Sequence, residues 1–140
     1  MNQNDPIIIV EDDIDDCELL QHALLEAGSK NPFMCFTSGD QALAYLKDTS
    51  DNVFLIISDV NMPRMNGLDF KKAINKNDSL NEKNIPFVFL STSSTWLIVK
   101  EAHRLCPQGY FKKPNNITDL TEIARNIVNY WQNNILPLNN

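Results

Sequence analysis

Five short, unbroken apolar runs recur along this 140-residue chain, and they constrain its fold more than any other feature. Two of them are rich in β-branched residues, IIIV at 7–10 and VFLII at 53–57. Three further runs lie at 33–36, 87–90 and 110–111. A run without alternating polar residues indicates a strand that is covered on both faces, which is typical of parallel sheets.

Amphipathic stretches separate these runs and predict a helix after each strand. Acidic residues at positions 13, 15 and 16 suit the start of the first helix, which Gly28 ends, and Ser38 can cap the second. The third and fourth helices are predicted over 67–75 and 95–105. The last helix has an apolar face with helical spacing, formed by Leu120, Ile123, Ala124, Ile127, Val128 and Trp131.

This alternation of strands and helices predicts an α/β fold, with a doubly wound five-stranded parallel sheet and helices on both of its faces. We expect one domain over residues 5–134, short tails at 1–4 and 135–140, and no output domain. The polar segment 75–84 is predicted to be a loose insertion before the fourth strand.

Composition excludes several classes of protein. The chain has 12 Lys and Arg against 18 Asp and Glu, a net charge of −6, which disfavours nucleic-acid binding. No basic leader precedes the first apolar run, and no run approaches the roughly 18 apolar residues of a membrane span. Three widely spaced cysteines, at 17, 35 and 106, favour buried thiols over disulfides or zinc ligands. We therefore expect a cytoplasmic chain that binds neither nucleic acid nor membranes.

Charged and hydroxyl side chains follow the predicted strands at the points where those strands end. Glu11 and Asp12 follow the first strand, Asp59 the third, Ser91 the fourth and Lys113 the fifth. Parallel strands bring their carboxyl ends to one edge of the sheet, where sites of α/β proteins form. Carboxylates crowded together there need a cation such as Mg²⁺, and a metal beside a lysine suits phosphoryl chemistry. A carboxylate is the available nucleophile, and its attack gives an acyl phosphate.

Four motifs at these strand ends resemble the receiver domain of response regulators, of the chemotaxis-regulator type, over essentially the whole chain. They are IIIVEDD at 7–13, ISDVNMPRMNG at 57–67, FLSTS at 89–93 and GYFKKP at 109–114. The resemblance implies a flavodoxin-like strand order of 2-1-3-4-5. It also implies that Asp59 accepts the phosphoryl group, and that Glu11, Asp12, Asp59 and the backbone carbonyl of Asn61 bind Mg²⁺.

The same resemblance assigns the residues that respond to the phosphoryl group. Ser91 stands where the family usually has a switch threonine, and Thr92 where it often has alanine, close to the phosphate entrance. Lys113 matches the lysine that pairs with the acceptor and then with the phosphate, and its peptide bond to Pro114 is often cis in this family. Tyr110 matches the aromatic switch residue.

By this resemblance, a sensor histidine kinase or a histidine phosphotransfer protein phosphorylates the domain. The surface of the fourth helix, fifth strand and fifth helix then changes, and the chain binds a downstream protein or relays its phosphate. Lys100, His103 and Arg104 form a basic cluster there that can attract an acidic partner. The implied chemistry is limited to self-phosphorylation and autodephosphorylation, so the chain is not expected to be an enzyme.

Two other functions stay open. A magnesium-dependent phosphohydrolase of the haloacid dehalogenase type also uses an aspartate at a strand end, but it needs a second carboxylate where this chain has Asn61. A pseudo-receiver binds its partners without being phosphorylated. The complete set of Glu11, Asp12, Asp59, Ser91 and Lys113 argues against that reading.

Overall fold

The computed structural model describes residues 4–135, and in it five parallel strands form one sheet in the order β2-β1-β3-β4-β5. The strands are β1 (Ile7–Val10), β2 (Phe33–Phe36), β3 (Leu55–Ser58), β4 (Phe87–Ser91) and β5 (Gly109–Lys112). The helices are α1 (Ile14–Glu26), α2 (Gly39–Asp48), α3 (Gly67–Lys76), α4 (Asp78–Glu82), α5 (Trp96–Arg104) and α6 (Ile117–Gln132). This confirms the predicted parallel sheet and its order. Residues 1–3 and 136–140, in the predicted tails, lie outside the described part.

Both faces of the sheet are covered, as the unbroken apolar runs predicted. Every residue of β1, β3 and β4 is buried. Ile7 and Ile9 pack into one core with residues of α1 and α6. Ile8 and Val10, which point to the opposite face, pack into a second core with residues of α2, α3 and α5. Alternate residues of one strand thus serve two cores, which is why no polar residue interrupts the run.

Side-chain caps fix where the helices begin. An Asp13 carboxylate oxygen accepts hydrogen bonds from the backbone N–H groups of Asp15 and Asp16, at 2.9 and 3.3 Å. Ser38 caps α2 by accepting from the N–H of Gln41. These contacts satisfy backbone donors that the first turn leaves unpaired. No helix within residues 4–135 has the length and apolarity that a membrane span requires.

The segment 75–84 is not the loose insertion that the sequence predicted. It contains the last residues of α3 and the short helix α4. The Asn77 side chain accepts a hydrogen bond from the N–H of Leu80 at 3.0 Å, and Leu80 is buried in the second core. The buried Leu80 and the Asn77 cap hold α4 in place, although the polar composition of the segment gives little sign of either. The predicted fourth and fifth helices are therefore α5 and α6.

The prediction of three buried thiols was wrong. Cys17 of α1 and Cys35 of β2 form a disulfide, and their Cα atoms lie 6.8 Å apart. Cys106 is free and exposed. The paired cysteines stand 18 positions apart in the sequence, and no motif marks them. Their approach depends on how α1 packs beside the edge strand, which local sequence does not reveal.

Candidate metal and phosphoryl-transfer site

Three carboxylates meet at the carboxyl edge of the sheet, as predicted. Register pairs Val10 of β1 with Ser58 of β3, so the residues that follow these two strands are neighbours. Glu11, Asp12 and Asp59 each offer a carboxylate oxygen, and these three oxygens lie within 4.8 Å of one another. Glu11 is buried and Asp12 is exposed, and the repulsion among the three like charges favours a cation between them.

Lys113 supplies one positive charge to this cluster. Its Nζ lies 2.6 Å from Oε1 of Glu11 and 3.5 Å from Oδ2 of Asp59. The backbone N–H of Lys113 donates to the carbonyl of Ser91 at 2.8 Å, which fixes the start of this loop against the end of β4. Lys113 follows β5 and Glu11 follows β1, so the lysine reaches the carboxylates from the opposite side of β3.

The ion pair and burial act in opposite directions on the charges of these side chains. Burial raises the pKa of Glu11 to about 8; the hydrogen bond from Lys113 opposes this rise, and Asp59 adds to it. Burial alone would lower the pKa of Lys113, but its hydrogen bond to Glu11 and the charges of Asp59, Glu11 and Asp16 raise it overall. Lys113 is thus held as a cation, and a proton on Glu11 would relieve the remaining repulsion.

The donor set fits a hard divalent cation. All three groups offer oxygen, which is the ligand type that Mg²⁺ and similar ions take. Oε2 of Glu11 is buried and has no hydrogen-bond partner within residues 4–135. A buried carboxylate oxygen without a partner is costly. A cation bound between the three carboxylates would satisfy this oxygen and reduce their repulsion.

The two carboxylate oxygens of Asp59 have different surroundings. Oδ1 accepts hydrogen bonds from the backbone N–H groups of Val60 and Asn61, at 2.7 and 3.3 Å. Oδ2 faces the ammonium of Lys113. One oxygen is therefore held by the loop after β3, while the other lies where a cation can neutralise an electrophile that carries negative charge.

Gly67 allows this loop to close on Asp59. Its N–H donates to the carbonyl of Val60 at 2.8 Å. A Cβ atom at this position would lie 2.0 Å from the backbone oxygen of Asp59, a distance that requires the backbone to move. The glycine in the motif at 57–67 is therefore required by a close approach to the backbone of Asp59.

We expect Gly67→Ala to lower the free energy of unfolding by about 1–3 kcal/mol or more, because the added methyl group overpacks a rigid contact. Gly109→Ala is the matched control, since its Cβ would meet side-chain atoms and no backbone, with Phe111 at 3.2 Å and Val88 at 3.8 Å. Urea denaturation of both variants gives the comparison. Equal effects of the two substitutions would contradict the role given to Gly67.

Ser91 and Tyr110 lie in one hydrogen-bonded network beside the carboxylates. Ser91 is fully buried, and its Oγ accepts from the N–H of Ser93 at 3.2 Å. The Tyr110 hydroxyl donates to the carbonyl of Ser93, and its ring packs against Phe89. Burial raises the pKa of this hydroxyl. Thr92 is exposed and forms no hydrogen bond within the described chain.

Asn61 connects the loop after β3 to the loop after β4. Its side-chain nitrogen donates to Oγ of Ser93 at 2.6 Å. The metal contact expected of its backbone carbonyl stays a prediction. Lys113–Pro114 is a trans peptide here, since no cis bond occurs in the described chain.

Two residues of this site were not predicted. Asp16 was interpreted only as a favourable charge at a helix N-terminus, yet its Oδ2 lies 3.3 Å from Nζ of Lys113. Its position one turn beyond Asp12 was the available signal, because α1 starts at the same edge of the sheet. Ser93 contacts Ser91, Asn61 and Tyr110, and nothing distinguishes it in sequence from the polar residues around it.

Comparison with known proteins identifies the same family of proteins that the four sequence motifs resemble. The family model of the response regulator receiver domain matches residues 7–125. Response regulator Rcp1 of Synechocystis sp. is 29% identical over 130 residues, which cover 89% of this chain and 87% of that protein.

Two solved structures share this architecture. The phosphorylated cyanobacterial phytochrome response regulator RcpA superposes with a TM-score of 0.83 at 26% identity, covering 95% of this chain and 97% of that one. The Mn²⁺-bound form of Rcp1 also gives 0.83, at 28% identity, and covers 95% and 99%. The fold, the motifs and the family match agree, and the chain belongs to the response regulator receiver domain family of two-component signalling.

Proposed function

We propose that this domain accepts a phosphoryl group on Asp59 from a histidine kinase or a histidine phosphotransfer protein, with Mg²⁺ as its metal. The observation that carries the proposal is the convergence of Glu11, Asp12, Asp59 and Lys113 at one edge of the sheet. The solved structures of RcpA and Rcp1, which are phosphorylated and Mn²⁺-bound respectively, support it by similarity.

The transfer joins a carboxylate oxygen of Asp59 to phosphorus and breaks the bond between phosphorus and the donor's imidazole nitrogen. That nitrogen leaves with the bonding electron pair. The bound metal would neutralise oxygen charge on the transferring group. Glu11 and Asp12 would hold it, together with Asp59 and the carbonyl of Asn61. Lys113, already 3.5 Å from Oδ2 of Asp59, would pair with the phosphoryl oxygens of the product.

The phosphoryl group would then change the network around Ser93. Oγ of Ser91 now accepts from Ser93, and the carbonyl of Ser93 accepts from Tyr110. A hydroxyl drawn toward the phosphate gives up this hydrogen bond, so the loop and Tyr110 can rearrange. The loop leads directly into α5, where Trp96 is 73% exposed and Leu97 57% exposed. We therefore assign the α5–β5–α6 surface as the output face, and Thr92 as a residue at the phosphate entrance.

A phosphohydrolase fits this site less well. Such an enzyme needs a proton-transferring group at position 61, and the Asn61 amide has no exchangeable proton of suitable pKa. Its side chain is instead bound to Ser93.

We expect acetyl phosphate with Mg²⁺ to add one phosphoryl group per chain and to change the fluorescence of Trp96, while EDTA prevents both. Ser91→Ala should still be labelled but should lose most of the fluorescence change.

A Trp96→Phe variant shows which tryptophan gives the signal, because the other tryptophan, Trp131, is buried in the core. Steady turnover of p-nitrophenyl phosphate, or labelling that is unaffected by EDTA, would contradict the proposal.

A further inference from the structure

A second cleft lies at the opposite edge of the sheet from Asp59. It occupies roughly 410 Å³ between the C-terminal ends of α3 and α5, the short helix α4 and the start of β4. We call it the α4 cleft; its polar lining includes Lys71, Asn75, Asn81, Arg104, Cys106 and Gln108. In the part of the chain that the structure describes, no acidic side chain lines this cleft, although the whole chain carries a net charge of −6.

Lys71 is the unusual residue of this cleft, because it is buried with only 8% of its surface exposed. Its ammonium lies over the ring of Phe87, 5.2 Å from the ring centre. Within residues 4–135 it forms no ion pair. Burial lowers the pKa of Lys71. Oε2 of Glu11 is the one side-chain polar atom of residues 4–135 that is both fully buried and without a hydrogen bond, so Nζ of Lys71 reaches the solvent of the cleft, where an anion can pair with it.

Other donors around the cleft are also available. Arg104 is exposed and forms no ion pair in the described chain. Oε1 of Gln108 accepts the N–H of Phe87 at 2.7 Å, and its side-chain nitrogen has no acceptor among residues 4–135. The carbonyl of Leu105, at the end of α5, already accepts from the Asn75 side chain at 3.0 Å. The cleft therefore offers cations and amide donors to an anion. The carbonyl oxygen of Leu105, which would repel an anion, is already hydrogen-bonded to Asn75.

We propose that the α4 cleft binds a small molecule through a phosphate or carboxylate group. Such an oxyanion can accept from the ammonium of Lys71 and the guanidinium of Arg104, and it has further acceptor positions for the amide of Gln108. Helix α4 completes the site by placing Asn81 on its wall. This gives the 75–84 segment a role as part of a binding site.

The test is NMR titration of the metal-free chain with sodium phosphate and, separately, with sodium acetate, at constant ionic strength. We expect amide shifts to cluster around residues 71, 81, 104 and 108, away from residues 11–12, 59 and 113. Lys71→Met should weaken binding about tenfold or more, because it removes the positive charge that faces the cleft. Lys72→Met is the matched control, since Lys72 is exposed on the same helix and does not line the cleft.

The two anions distinguish the classes of ligand. Binding of phosphate alone supports a phosphate-bearing ligand, binding of acetate alone supports a carboxylate, and binding of both supports either. Shifts confined to other surfaces, or equal losses of affinity in Lys71→Met and Lys72→Met, would overturn the proposal.

A thermal unfolding measurement separates ligand binding from a purely structural role for Lys71. Phosphate or acetate bound in the cleft should raise the Tm of the natural chain, because a ligand that binds only the folded state stabilises it. The same anion should leave the Tm of Lys71→Met unchanged. Without the anion, Lys71→Met should differ little in stability from the natural chain, because methionine keeps most of the apolar packing of the lysine stem and removes a charge that reaches solvent. If neither anion raises the Tm of the natural chain, and Lys71→Met is less stable than the natural chain, then Lys71 has only a structural role and the proposal is wrong.

Discussion

Asp59→Asn is expected to abolish phosphorylation by acetyl phosphate. The amide has nearly the same shape as the carboxylate, and its oxygen can still accept from the N–H groups of Val60 and Asn61. It lacks the negative charge that makes the carboxylate a nucleophile, so the loop should stay folded while the acceptor is lost. Intact-mass spectrometry after treatment with acetyl phosphate and Mg²⁺ measures the effect.

Asp69→Asn is the control for this substitution. Asp69 is an exposed carboxylate in the first turn of α3, ten residues after Asp59 in the sequence and outside the carboxylate cluster. It should be labelled like the natural chain. Labelling of Asp59→Asn at the normal rate would place the acceptor on another residue.

At pH 9, above the pKa of about 8 of Glu11, Lys113→Met should lower the free energy of unfolding of the metal-free chain by about 2–4 kcal/mol, since it leaves the Glu11 carboxylate in the interior without its cation; near pH 7 the loss should be smaller, because Glu11 can take up a proton. The Glu11 side chain is only 6% exposed, and Nζ of Lys113 approaches it to 2.6 Å. Urea denaturation in EDTA measures the loss. Lys112→Met, at the exposed neighbouring position, should change stability by no more than about 0.5 kcal/mol.

A double-mutant cycle tests whether the loss comes from the ion pair. In a Glu11→Gln background, Lys113→Met should cost much less, because the neutral amide no longer needs a cation. Equal costs in the two backgrounds would mean that Lys113 stabilises the fold by packing alone.

The sheet and the meeting of its strand ends could be predicted from sequence because both follow from simple physical rules. Ile7, Ile8, Ile9 and Val10 are all buried, which only a strand with cores on both faces explains. Once the strands are parallel, Glu11 and Asp59 must emerge at the same edge. The order of the strands and the roles of the site residues came from the family resemblance.

The features that could not be predicted depend on packing between distant segments. Helix α4 is held by the burial of Leu80, and a single leucine in a polar stretch carries little signal. Asp16 reaches Lys113 across 97 residues of sequence, and Cys17 meets Cys35 through the packing of α1 beside β2. Helix propensity and periodicity describe neighbours in sequence, so they contain no information on such contacts.

Borohydride trapping of the labelled natural chain tests most directly whether Asp59 is the acceptor. The reagent reduces an acyl phosphate to an alcohol, and peptide mass spectrometry then locates the altered residue. After treatment with acetyl phosphate and Mg²⁺, we predict reduction at Asp59 alone, and none when EDTA replaces Mg²⁺. Reduction at another carboxylate, or no reduction in a folded, metal-supplied chain, would contradict the assignment.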